Sequence, residues 1–183
     1  MFEWILFAVG SVGIGFISSK SLRVPGSHGF YRFFAWECIL GLFCLNVRVW
    51  FRFPFAWHQL ISWVLLVLSL APLILGVRNL VGKGQSVPKR EGEPELLAFE
   101  KTSQLVTSGI YHYIRHPLYS SLLFLAWGIF FKDITWPGGL LTLAATIFLL
   151  LTAKADEREC LRYFGAAYRE YMRRTKRFIP FLF

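Results

Sequence analysis

The chain has 183 residues, 55% of them hydrophobic and 18% aromatic, with a mean hydropathy of +0.49. Soluble domains sit near 45–50% apolar by a wider count that includes glycine, so a water-soluble globular domain is excluded. The net charge of +9 does not point to nucleic acid, because the basic residues flank apolar runs, as in a protein seated against anionic headgroups.

Five apolar segments follow one another at 2–17, 33–50, 60–77, 117–131 and 137–153, several of them close to the roughly 20 residues needed to cross a bilayer. The first begins at Phe2 with no basic region before it and no AxA-like cleavage site after it, and is read as a retained span. In the second, Glu37 is an intramembrane ionisable residue, and Asn46 and Arg48 follow it. Glu37 is expected to pair with Arg32 or to lie one turn below the interface. Pro72 in the third segment reads as a kink. Trp136-Pro137-Gly138-Gly139, between the last two, reads as the turn of a tight helical hairpin. Trp4, Trp50, Trp57 and Trp136 fit interfacial belts. The cysteines, Cys38, Cys44 and Cys160, are odd in number and form no CxxC, so neither a disulfide framework nor a metal site is expected.

With five spans, all but three of the 20 basic residues (Arg48, Arg52 and Lys132) fall in 19–32, 78–116 and 154–183. That asymmetry puts those segments in the cytoplasm and the N-terminus outside. The expected fold is all-α: an integral membrane bundle of about five transmembrane helices with a cytoplasmic helical tail. It forms one domain over 1–183, with three spans in 1–78, a cytoplasmic loop in 79–116, a hairpin in 117–153 and the tail in 154–183. The loop opens with Gly82-Lys83-Gly84-Gln85, passes Pro88 and Pro94, and carries Glu91, Glu93, Glu95 and Glu100; loops of this length are usually functional or disordered. In the tail, Gly165 is expected to break the helix, and Tyr168, Tyr171 and Met172 share a face of a second short helix.

Two clusters could carry chemistry. Pro117 suits the first turn of a helix, whose free N–H groups favour a carboxylate or phosphate, and Arg115 and His116 add donors beside it. Asp156, Glu157 and Glu159 place negative charge at the cytoplasmic end of the fifth span, where anionic lipid disfavours it. Lys154, Arg158 and Arg162 are their nearest partners in sequence. Both clusters belong to the same side and only the hairpin separates them, so they suit a zwitterion with separated amino and carboxylate groups.

LVTSGIYHYIRHPLY at 105–119, the apolar hairpin, and DERECLRYFGAAYREYMRRTKRFIP at 156–180 closely resemble the isoprenylcysteine carboxyl methyltransferase family, related to the membrane phospholipid N-methyltransferases. The resemblance covers 105–180 and the earlier spans by topology alone. It implies S-adenosylmethionine as cofactor, held by Ser103, Gln104, Leu105, Val106, Tyr111, His116, Pro117, Leu118 and Tyr119, with an acidic contact from Asp156 or Glu157. Asp156 stands where the family usually has a first Glu, and Ser121 where a small glycine is common. The implied reaction is methyl transfer to a hydrophobic or amphiphilic acceptor in the bilayer, as carboxylate O-methylation or amine N-methylation. Arg115 is expected to fix a carboxylate and Glu157 to assist deprotonation of an amine. Membrane sterol reductases are similar in their last spans, so an NADPH-dependent ene reductase is an alternative, as is a non-catalytic membrane module.

Overall fold

The computed structural model describes residues 1–84 and 103–182. The stretch with Pro88, Pro94 and the four loop glutamates lies outside the described residues. The fold is all-helical: α1 (Phe2–Ser18), α2 (His28–Asn46), α3 (Trp57–Lys83), α4 (Pro117–Phe130), α5 (Trp136–Phe164) and α6 (Ala166–Arg174), with short 3₁₀ turns between some of them.

Local chemistry sets the helix limits. Ser27 caps α2 by accepting from the Phe30 N–H at 3.1 Å. The helix therefore starts five residues before the apolar run read from the sequence, and His28 is its first residue. Thr135 caps α5 in the same way, accepting from Gly138 N at 3.3 Å. Trp136-Pro137-Gly138-Gly139 is thus the first turn of α5, and the hairpin turn itself is made by the residues before it. Pro at a first turn forfeits no helical hydrogen bond, which is why the sequence could be read either way. At the far end, Gly165 takes φ +57°, a conformation costly for residues with a Cβ, and separates α5 from α6.

Contacts at the two ends show that α1–α5 alternate in direction. At one end the start of α2 meets late α5 through His28 and Glu159, and late α3 meets the start of α4, where Gly76 lies against Pro117 and Leu118. At the other end Arg48 pairs with Glu3. There Asn46 donates to the Ile129 carbonyl at 3.1 Å, and Lys132 donates to Gln59 at 3.0 Å. The core lies between α2, α4 and α5, in two clusters around Ala35, Leu149 and Ala153 and around Leu42, Ala126 and Ala145. Small residues let α3 and α4 approach closely: the Ser62 hydroxyl donates to the Gly128 carbonyl at 2.7 Å.

Large apolar side chains cover the outside, among them Trp4, Val9 and Phe16 on α1 and Val64, Val67 and Ile74 on α3, as lipid contact requires. The segments His28–Val49, Trp57–Lys83 and Trp136–Phe164 are long and apolar enough to cross a membrane. α1 and α4 are shorter apolar helices. The 14 residues of α4 rise about 21 Å, short of a hydrocarbon core of about 30 Å, and chain on either side of 114 and 176 packs over its start.

Candidate functional site

Residues 113–116 are fixed by the last residues of the tail. Arg115 N donates to Lys176 O at 2.8 Å, His116 N to Arg177 O at 3.1 Å, and Lys176 N to Tyr113 O at 3.0 Å. This makes a parallel bridge between Ile114 and Lys176. Ser120, one turn into α4, reaches the Phe178 carbonyl at 2.8 Å. The RHP segment and the tail therefore form one unit over the start of α4.

Beneath that unit lies a cluster of paired charges. The Arg115 guanidinium donates to Glu157 Oε1 at 3.0 Å and to the carbonyls of Met172 and Thr175. Arg177 donates to the same carboxylate at 3.1 and 2.8 Å. His116 faces Asp156 through Nδ1 at 3.3 Å and Glu157 through Nε2 at 3.4 Å. With a carboxylate at each nitrogen, the imidazolium is the form both contacts select. Burial works against that charge, but Asp156 and Glu157 outweigh it and His116 is raised above its ordinary pKa. The partners of Asp156 and Glu157 are thus Arg115, His116 and Arg177, and that of Glu159 is His28, not the Lys154, Arg158 and Arg162 that neighbour them in sequence. Arg158 instead reaches the Gly26 carbonyl.

Beside this cluster is a cavity of about 110 Å³. Its walls come from α3 (Leu80), the segment before α4 (Leu105, Val106, Tyr111, Arg115, His116), the first turn of α4 (Pro117, Leu118, Tyr119), α5 (Asp156, Cys160, Phe164), α6 (Tyr168, Tyr171) and the start of α2 (His28). Asp156 accepts from the Tyr119 hydroxyl at 3.3 Å. Its side chain is 25% exposed, against 6% for Glu157. Tyr171 donates to the Tyr111 carbonyl at 2.7 Å, tying α6 to the 3₁₀ turn before α4. Burial pushes the Tyr168 and Tyr171 phenols well up, so both stay protonated.

The cavity thus brings together Leu105, Val106, Tyr111, Arg115, His116, Pro117, Leu118, Tyr119 and Asp156 of the residues singled out from sequence. Ser103 and Gln104 are not in its wall, and Gln104 N instead donates to the Gly84 carbonyl at 3.4 Å. Glu157 is not in the wall either: it faces away, into the arginine pair. Glu37 is far from this site and accepts from Ser11 of α1 at 2.6 Å, not from Arg32. His28, Cys160, Phe164, Tyr168 and Tyr171 are additional wall residues. His28 was hidden because its segment reads as a loop; the Ser27 cap was the signal available.

The donor set can be tested against the implied cofactor. A partly exposed carboxylate, the positive end of a helix, and an apolar and aromatic wall together fit a molecule with an amino group, a carboxylate and an aromatic base. The cavity volume of about 110 Å³ takes part of such a molecule, since whole ligand pockets run to roughly 300–1,000 Å³.

Comparison with known proteins finds likeness over the same part of the chain. Residues 95–167 match the phospholipid methyltransferase family. Methanethiol S-methyltransferase 2 of Bradyrhizobium diazoefficiens is 34% identical over 74 residues, covering 40% of this chain and 28% of that protein. The matched stretch is therefore little more than a quarter of the relative's length. No solved structure matches the chain. The stretch 95–167, which holds the RHP segment, the helical hairpin and the acidic residues of α5, is thus the part of the chain that is similar to the phospholipid methyltransferase family.

Proposed function

We propose that the protein transfers a methyl group from S-adenosylmethionine to a hydrophobic acceptor reached from the bilayer, at the cytoplasmic end of the bundle. The observation that carries this reading is the cavity where the partly exposed Asp156 carboxylate stands across from the first turn of α4. Asp156 is the acidic contact, through the cofactor's amino or hydroxyl groups. The positive end of α4, at Pro117 and Leu118 in the cavity wall, favours its carboxylate. Leu80, Val106 and Phe164 supply apolar surface for the base. When bound, the cofactor supplies a methyl group on a cationic sulfonium.

Arg115 and Glu157 are positioning residues in this scheme. Their ion pair holds the RHP segment at a fixed height over α4, and His116 links that pair to Asp156. The main catalytic effect is placement of two reactants in a water-poor cavity. A reductase reading gains little from the site. A carboxylate in the wall, and a guanidinium already paired to Glu157, suit a cation better than a polyphosphate dinucleotide.

The relative's name gives a thiol as acceptor and the family's name points to phospholipid, so both are acceptor classes to test. The experiment is transfer of labelled methyl from S-adenosylmethionine into a membrane lipid extract and a panel of hydrophobic thiols, with product identification. Label in an extractable product supports the proposal. No transfer, together with saturable NADPH binding, overturns it.

A further inference from the structure

The cavity contains a second acid–base unit apart from the His116 cluster. His28, the first residue of α2, is buried and lines the cavity. Its Nδ1 lies 2.5 Å from Glu159 Oε2, and its backbone N–H donates to Glu159 Oε1 at 2.9 Å. Glu159 thus holds both the ring and the end of α2, from 131 residues away. A carboxylate at Nδ1 selects the tautomer with its proton on that nitrogen and leaves Nε2 as the basic atom. Asp156, close enough to feel the His28 charge, and Glu159 both stabilise the imidazolium that forms on proton capture. Tyr168 and Tyr171 keep their protons, His116 is already held by two carboxylates, and Glu157 is engaged by two arginines.

We infer that His28, oriented by Glu159, is the base that takes the acceptor's proton, and that the acceptor is a hydrophobic thiol. This rests on the methyltransferase reading above. A carboxylate acceptor is already ionised at neutral pH and needs no base. An ammonium lies about 4 pKa units above an imidazole and a thiol only about 2, so an imidazole is the better match to the thiol. In the step, the acceptor's S–H bond breaks and its proton goes to Nε2. The new S–CH₃ bond forms as the donor's C–S bond breaks, and that bond's electron pair remains on the donor sulfur.

The groups around His28 are Asp156, Glu159 and Cys160 of α5, His116 before α4, Tyr168 and Tyr171 of α6, and Arg32 on its own helix. His28, Asp156 and Glu159 also lie close enough, within 4.8 Å, to bind a cation. Glu159 already uses both oxygens on His28, which favours the base, and a metal dependence is one outcome of the test.

The test uses the full chain in lipid nanodiscs, with octanethiol and octanoate as acceptors. His28→Asn keeps a donor toward Glu159 and removes the base. It is expected to keep saturable S-adenosylhomocysteine binding by calorimetry and, at saturating cofactor, to methylate octanethiol at least 100-fold more slowly. The acid limb of the pH–rate profile should disappear with it, and imidazole should restore part of the activity of His28→Ala. Nitrogen NMR of the histidines, without any cofactor, should show His28 protonated at Nδ1 and should lose that signature in Glu159→Gln. Methylation of octanoate as fast as octanethiol and unchanged in His28→Asn overturns this inference alone. So does activity removed by a chelator and restored by a divalent cation. Failure of the wild type to bind S-adenosylhomocysteine overturns the methyltransferase reading with it.

Discussion

Arg115 and Glu157 meet at 3.0 Å from 42 residues apart, with side chains only 8% and 6% exposed. Arg177 closes the cluster on the other oxygen of Glu157. One carboxylate thus ties together the RHP segment, α5 and the last residues of the tail. Breaking a buried pair by removing one partner costs about 3–5 kcal/mol, because the remaining charge stays buried. Glu157→Gln leaves Arg115 and Arg177 facing each other and is expected to lower stability by about 3 kcal/mol. Thermal unfolding in detergent checks this. Asp156→Asn, at the more exposed position, should cost much less stability, and equal losses in the two variants would contradict the division of roles.

His116 makes stability depend on pH. Its folded-state pKa is raised by Asp156 and Glu157, so its contribution is complete below its unfolded value of about 6.5. That contribution is lost as pH rises through the raised value. Unfolding temperature should therefore decline from pH 6 upward in wild type, and His116→Gln should flatten that decline. A wild-type curve that rises over the same range would show the imidazole is not held as the cation.

Two glycines of α3 should respond in opposite directions. A Cβ at Gly76 would meet Pro117 Cγ at 3.2 Å and Leu118 Cδ2 at 3.3 Å, whereas one at Gly82 meets nothing within 4 Å. Gly82→Ala should stabilise by about 0.5–1 kcal/mol through helix propensity alone. Gly76→Leu should destabilise by about 1–3 kcal/mol through overpacking. It should also weaken cofactor binding, because Pro117 and Leu118 are cavity wall. Unfolding curves and ligand titration on the same two proteins measure both effects.

The tail anchor is a fourth point of attack. Ser120 bonds to the Phe178 carbonyl and Tyr171 to the Tyr111 carbonyl, and a buried carbonyl left without its donor costs about 1–3 kcal/mol. Ser120→Ala and Tyr171→Phe should each lower stability by about 1 kcal/mol or more. They should also speed proteolysis of residues 175–182 in limited digests. Digests unchanged from wild type would show the tail is held by other contacts.

Helical class and the apolar runs were legible because hydrophobicity over tens of residues decides them whatever the partners. The junction of Arg115, His116 and Pro117 with Asp156 was legible because charge at a membrane edge needs a counterpart. Which carboxylate faces the cavity was not, since Asp156 and Glu157 are adjacent and only packing chooses between them. His28 was missed for a related reason. Its part in the site depends on Glu159, 131 residues on, and only a helix beginning at Ser27 brings the two together. The hairpin turn was misplaced because Pro and Gly suit a first helical turn as well as a loop.

The central claim, that Asp156 and the start of α4 bind S-adenosylmethionine, is tested most directly by calorimetric titration of that cofactor into the full chain in nanodiscs. Wild type and Asp156→Asn are compared, with NADPH titrated in parallel. Hydrogen bonds to charged groups are worth about 1.5–3 kcal/mol, or roughly 10–100-fold in affinity. Saturable S-adenosylmethionine binding weakened by that factor in Asp156→Asn, and no NADPH binding, is the predicted result. Equal affinity in the two proteins, or saturable binding of NADPH alone, would contradict it.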